Sequence, residues 1–148
     1  MSSTYLSLHY HLVFSTKNRE ARIAAAWRSR LHEYLGGTVR GLGGFSNEVG
    51  GVADHVHLLV GLKATHCLAD LMRELKKASS IWVHEEIGDK SFAWQDGYAA
   101  FTVSAPSREA IREYIANQEE HHRVKSFREE LIAMLERAGV EYDPRYLD

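Results

Sequence analysis

The stretch FSNEVGGVADHVHLLVGL, residues 45–62, decides the fold. It reads as two short strands, Phe45 to Val52 and His55 to Leu62, joined around Ala53-Asp54. Side chains alternate across a strand, so His55 and His57 share one face while Val56 and Leu58 enter the opposite layer. Two imidazoles side by side supply half of a divalent-metal site. Their position beside a turn predicts enough exposure for chemistry.

Working outward, Tyr5 to Phe14 alternates polar and apolar residues and predicts a first strand, after which Asn18 is placed to cap a helix from Arg19 to about Leu42. On the other side, Cys67 to about Ile87 carries Leu68, Leu71, Met72, Leu75, Trp82 and Val83 at helical spacing, and Phe92 to Ser104 returns to strand character. Pro106-Ser107 then starts a helix that bears Tyr114 and Gln118 on one face and runs into His121-His122. A last amphipathic stretch passes through Phe127, Leu131, Met134 and Leu135. Strand, helix, strand, strand, helix, strand is the order of a ferredoxin-like or RRM-like βαββαβ unit, an α+β fold with an antiparallel sheet. The expectation is one domain over 1–148, with the ferredoxin-like core in 1–105 and the Tyr-bearing and C-terminal helices in 106–148. The two histidines would lie on the sheet's free face or at its edge, and a Tyr helix packed over that face could close the site.

With 148 residues, 45% apolar and 26% charged, the chain fits one soluble domain with a proper core. No apolar run approaches the roughly 18 residues of a membrane span, and Met1-Ser2-Ser3-Thr4-Tyr5 lacks a basic leader, so a cytoplasmic protein is expected. The single Cys67 excludes an intrachain disulfide and a multi-thiolate zinc site, leaving His, amide and carboxylate ligands for any metal. A net charge of -2 speaks against a uniformly basic nucleic-acid surface. Lys17, Arg19, Arg22, Arg28, Arg30 and Arg40 against Glu20 and Glu33 nevertheless make the first 40 residues basic, and the C-terminal segment is acidic. Arg73, Lys76 and Lys77 fit either a solvated helix face or a phosphate backbone.

Two imidazoles and a carboxamide would leave a bound cation its full charge and open positions, which suits an anionic phosphodiester. The Tyr114 hydroxyl could then attack phosphorus and store the bond energy as a phosphotyrosine. A free phenol titrates near about 10, so the site must lower that value or provide a base, and no base is evident. His9 and His11 repeat the two-residue spacing on the first strand and could flank the metal pair across the sheet.

Four segments carry a resemblance that spans nearly the whole chain: Tyr10-His11-Leu12-Val13-Phe14-Ser15-Thr16-Lys17, Asp54-His55-Val56-His57-Leu58-Leu59-Val60, Phe92-Ala93-Trp94-Gln95-Asp96-Gly97-Tyr98, and Tyr114-Ile115-Ala116-Asn117-Gln118 with His121-His122. Together they resemble the single-tyrosine HUH transposases of the smallest bacterial insertion sequences. The resemblance implies that His55, His57 and Gln118 hold Mg²⁺ or Mn²⁺, and that Tyr114 forms a 5′-phosphotyrosine with single-stranded DNA at hairpins. It also implies a homodimer with active sites shared between subunits, with Ala105 to Ser107 as a hinge. Lys17, Arg19, Arg22, Arg73, Lys76 and Lys77 are the candidate DNA contacts. The alternatives are a replication or relaxase-type nicking enzyme, a domesticated non-catalytic DNA-binding regulator, and a ferredoxin-like interaction module.

Overall fold

The computed structural model describes residues 3–147. Four antiparallel strands form one sheet: β1 (His9–Ser15), β2 (Phe45–Gly51), β3 (His55–Gly61) and β4 (Ala99–Val103), in the order β2-β3-β1-β4. Between them run α1 (Ala25–Gly41) and α2 (Leu68–Trp82), and beyond them α3 (Arg108–Ala116), α4 (Gln118–His121) and α5 (Phe127–Ala138). This is the expected ferredoxin-like arrangement with C-terminal helices. Among the described residues no helix is long and apolar enough to cross a membrane.

Strand alternation sorts the core into two layers. Leu12 and Phe14 of β1 and Val56, Leu58 and Val60 of β3 point one way and pack with Leu31 and Leu35 of α1 and Leu71 and Leu75 of α2. Val13 and Leu59 point the other way, Val13 against Phe127 and Met134 and Leu59 against Val103 and Ile115. Both faces of the sheet are therefore covered, the second by α3 and α5. The histidine face is closed as expected, and more tightly than a turn-proximal position suggests: His55 and His57 are both 0% exposed.

Several boundaries depart from expectation. β1 begins at His9 and not Tyr5. Asn18 caps no helix: it and Arg19 adopt left-handed backbone (φ 56 and 51) in a short turn, and α1 starts only at Ala25. Between that turn and α1, Ile23 N–H donates to the Ala53 carbonyl at 2.9 Å, so the segment is tied to the β2–β3 connection. Phe92 to Tyr98 is no strand either. Trp94 makes an isolated bridge with Thr16, and its indole N–H donates to Ser79 Oγ at 2.9 Å, so the aromatics there anchor a loop to α2. Finally the helix bearing Tyr114 breaks at Asn117 (φ -104, ψ 27), which separates α3 from α4. The Gln118 amide still reaches back to the Tyr114 carbonyl at 3.4 Å, keeping the two residues on one side.

Candidate active site

Adjacent strands bring three histidines together on the covered face. β1 pairs with β3 so that Val13 lies opposite His57 and His11 opposite Leu59. His11 Nε2 lies 2.7 Å from His57 Nδ1 and the two rings stack at 5.0 Å. The His55 ring is sandwiched differently: Nδ1–H donates to the Asp54 carboxylate at 2.8 Å, and its face stacks on Phe127 at 4.1 Å. Both rings are thus oriented through Nδ1, which turns each Nε2 toward α3–α5.

There the Nε2 atoms meet Glu130, a buried residue of α5. Glu130 Oε1 lies 3.0 Å from His57 Nε2, 3.1 Å from His122 Nε2 and 3.4 Å from His55 Nε2. Its other oxygen, Oε2, accepts the Tyr114 hydroxyl and, at 3.1 Å, the Gln118 amide. Gln118 Oε1 faces His55 Nε2 at 3.2 Å and His122 Nε2 at 3.0 Å. The Tyr114 hydroxyl also lies 3.4 Å from His121 Nε2. All four residues expected at the centre, His55, His57, Tyr114 and Gln118, therefore converge within one chain.

The electrostatics follow from this burial. Desolvation alone would push Glu130 up, but hydrogen bonds from His122, His55 and His57 hold its carboxyl well below the usual carboxylate range. Burial would likewise depress His55, yet hydrogen bonds and charge from Asp54 and Glu130 outweigh it and raise its pKa. His57 goes the other way, down to about 4, because burial dominates over Glu130. For Tyr114, burial and then the Glu130 carboxylate push the phenol above its ordinary value. The Tyr114 hydroxyl is therefore harder to ionise here than a free phenol.

The donor set fits a divalent cation. One donor atom each from His55, His57, His122 and Glu130 lie within 4.8 Å of one another. An octahedral cation with bonds of roughly 2.0–2.1 Å has ligand-to-ligand edges of about 3.0 Å, close to the 3.0 and 3.1 Å from Glu130 to His57 and His122. Imidazole nitrogens together with a carboxylate oxygen make a mixed donor set of the kind that divalent metal ions take.

The candidate DNA contacts differ in how far they are engaged with the protein itself. Lys17 and Lys77 are exposed. Arg22 is engaged with both oxygens of Asp89 at 2.7 and 2.8 Å, and Arg73 with Asp70 at 2.9 Å. Lys76 donates to the Gln95 carbonyl at 2.8 Å and to the Gly97 carbonyl, pinning the loop before β4. The Arg19 guanidinium sits 5.9 Å over Phe127, next to His55. Glu130 and the part played by His122 are not among the site residues expected from the sequence. A usable signal existed: Phe127, Glu130, Leu131 and Met134 fall at helical spacing, so one acid interrupts the apolar stripe of α5.

Comparison with known proteins agrees with this architecture. A family model described as "Transposase IS200 like" matches residues 4–118. The chain belongs to the IS200-like transposase family. This IS200-like transposase is 28% identical over 134 residues to the transposase for insertion sequence element IS200 of Salmonella typhimurium strain LT2, covering 84% of this chain and 85% of that one. It is 29% identical over 119 residues to the ISDra2 transposase TnpA of Deinococcus radiodurans, covering 75% and 84%. Among solved structures, a candidate transposase from Deinococcus radiodurans R1 superposes with a TM-score of 0.65 at 26% identity, over 80% of this chain and 96% of that one. A REP-associated tyrosine transposase bound to a REP hairpin shares the fold at a TM-score of 0.60 and 16% identity, over 82% and 73%.

Burial of neutral imidazoles carries a stability consequence for the transposase without cation. Burial pushes His11 down to about 3, and His32 and His57 each down to about 4, from 6.5. An unfolded chain takes up these protons as pH falls through 6.5, whereas the folded chain does not until near 3–4. Stability is thus fully present above pH 6.5 and lost on acidification, by up to roughly 1.4 kcal/mol per pH unit for each group. The His55 contribution has the opposite sign but is already complete below pH 6.5, so it does not cancel the loss. Thermal melts should show a clear drop in Tm from pH 7 to pH 5; a flat profile would contradict the neutral, buried state of these rings.

Proposed function

We propose that this transposase cuts and rejoins single-stranded DNA at hairpin-marked ends through a 5′-phosphotyrosine on Tyr114, assisted by Mg²⁺ or Mn²⁺ held by His55, His57 and Gln118. One observation carries the reading: the Tyr114 hydroxyl and the Nε2 atoms of both histidines meet at a single buried point. The cation, when bound, would polarise the scissile phosphate and balance charge developing on it. Tyr114 oxygen attacks phosphorus, the bond to the 3′ oxygen breaks, and a free 3′ end is left. Attack by a 3′ hydroxyl on the phosphotyrosine reverses these bond changes and joins strands. The phenolic proton has two neighbours that could receive it, Glu130 and His121. Burial of the histidine face keeps water, the competing nucleophile, away from the intermediate.

Hairpin DNA as partner is supported by the REP hairpin bound to a protein of the same fold. Lys17 and Lys77 are the cations best disposed to hold a strand, since Arg22, Arg73 and Lys76 already direct donors to protein oxygens. A homodimer with shared sites is compatible with the connection between β4 and α3, a short turn at Ala105–Ser107. In such a shared site α3–α5 of one copy would fold onto the sheet of the other.

The test is a denaturing gel of the protein with labelled single strands from both flanks of its own gene and Mn²⁺. A covalent adduct together with joined product is expected. Cleavage without joining would point to a nicking enzyme, and tight hairpin binding without an adduct to a regulator.

A further inference from the structure

Glu130 lies beyond residue 118, where the family match ends, and the reaction proposed above uses it only as one of two neighbours of the phenolic proton. Its side chain is 1% exposed, and a carboxylate so buried costs several kcal/mol unless its surroundings compensate. The surroundings are uneven. One oxygen faces three imidazole Nε2 atoms, on His55, His57 and His122, while the other takes the Tyr114 hydroxyl and the Gln118 amide. A single imidazolium would satisfy an ordinary buried ion pair. Three imidazole nitrogens gathered on one carboxylate oxygen, with the His55 and His57 rings held through Nδ1 on their far side, is the arrangement of ligands around a cation.

We propose that Glu130 is itself a ligand of the divalent cation, completing with His122 a site begun by His55 and His57, and that its second oxygen holds the Tyr114 hydroxyl beside the cation. The inference rests on the reading of His55 and His57 as the metal pair and extends it to α5. It changes the chemistry in a definite way. Two imidazoles and a carboxamide leave a bound dication at +2, whereas a carboxylate reduces the site to +1, still attractive to a phosphodiester but binding the cation more tightly before DNA arrives. It also makes the separation between nucleophile and cation a property of one carboxylate bridge, set by the seating of α5. Ser126 Oγ fixes that seating by accepting the Glu129 backbone N–H at 3.1 Å, capping the helix one turn before Glu130.

The experiment is a Mn²⁺ titration, read by loss of the free-ion EPR signal, on the DNA-free protein and on Glu130→Gln and His57→Ala. Glu130→Gln keeps the shape but removes the charge, and should weaken Mn²⁺ binding at least about ten-fold, within the range known for loss of a metal-supporting group. His57→Ala should weaken it as well. Mn²⁺ binding by Glu130→Gln equal to wild type, with His57→Ala defective, overturns the role of Glu130 and leaves the metal pair standing. Binding indifferent to His57→Ala overturns the metal reading on which both rest. Should Glu130→Gln fail to fold, Glu130→Asp replaces it: the charge is kept but withdrawn by one methylene, and unchanged Mn²⁺ affinity would again overturn the proposal.

Discussion

Replacing Tyr114 with Phe is expected to abolish the covalent protein–DNA adduct while leaving hairpin binding intact. The argument is local. Only the hydroxyl is removed, and the ring's edge contacts with His57 and His11, at 5.9 and 6.2 Å, survive. Glu130 loses one hydrogen bond but keeps Gln118, His57 and His122, so no buried charge is orphaned. The stability cost should be about 1.5–3 kcal/mol, typical of a hydrogen bond to a charged group, and visible as a Tm lowered by a few degrees. No other hydroxyl is placed to substitute: among the described residues, the groups around the centre are imidazoles, a carboxylate and an amide. An adduct that persists in Tyr114→Phe, at any yield comparable to wild type, would remove Tyr114 from the reaction.

The second large effect is expected at Gly50, a residue with no side chain to take part in chemistry. β2 carries Gly50 opposite His57, and α3 lies directly across it. A Cβ at this position would come within 2.1 Å of the Ile115 carbonyl oxygen and 3.0 Å of its carbonyl carbon. Both are backbone atoms, so no rotamer change relieves the clash and α3 must move outward. Ile115 is adjacent to Tyr114, and displacing a nucleophile by about 1 Å can cost on the order of 100-fold in rate. Gly50→Ala should therefore lower the adduct rate by about that factor, together with 1–3 kcal/mol of overpacking strain or more. Adduct kinetics beside circular dichroism separate the two effects. A rate within a few-fold of wild type, in a folded variant, would show that α3 does not need its seat on β2.

The difference between these two residues shows what the sequence makes legible. Tyr114, His55 and His57 stand out because their chemistry is local to a short motif, and strand alternation alone puts both histidines on one face. Glu130 is assembled by a helix that returns to the sheet about seventy residues after β3, and nothing local announces it except an acid on an apolar stripe. The fold followed the same division. The six-element order could be read from periodicity, but the left-handed turn at Asn18 and Arg19 and the loop built on Trp94 depend on contacts with distant backbone at Ala53 and with Ser79. The break at Asn117 was equally invisible, because Tyr114 and Gln118 stay on one side of it.

The contact between His11 and His57 has one more consequence, concerning the direction of a hydrogen bond. Without a cation, His57 Nε2 faces a carboxylate that can only accept, so the proton sits on Nε2 and Nδ1 must accept from His11. To offer its Nε2 lone pair, neutral His57 has to carry its proton on Nδ1 and donate to His11, which then has to become the acceptor. The 2.7 Å bond survives only if both rings exchange tautomers together, so the first strand takes part in arming the third.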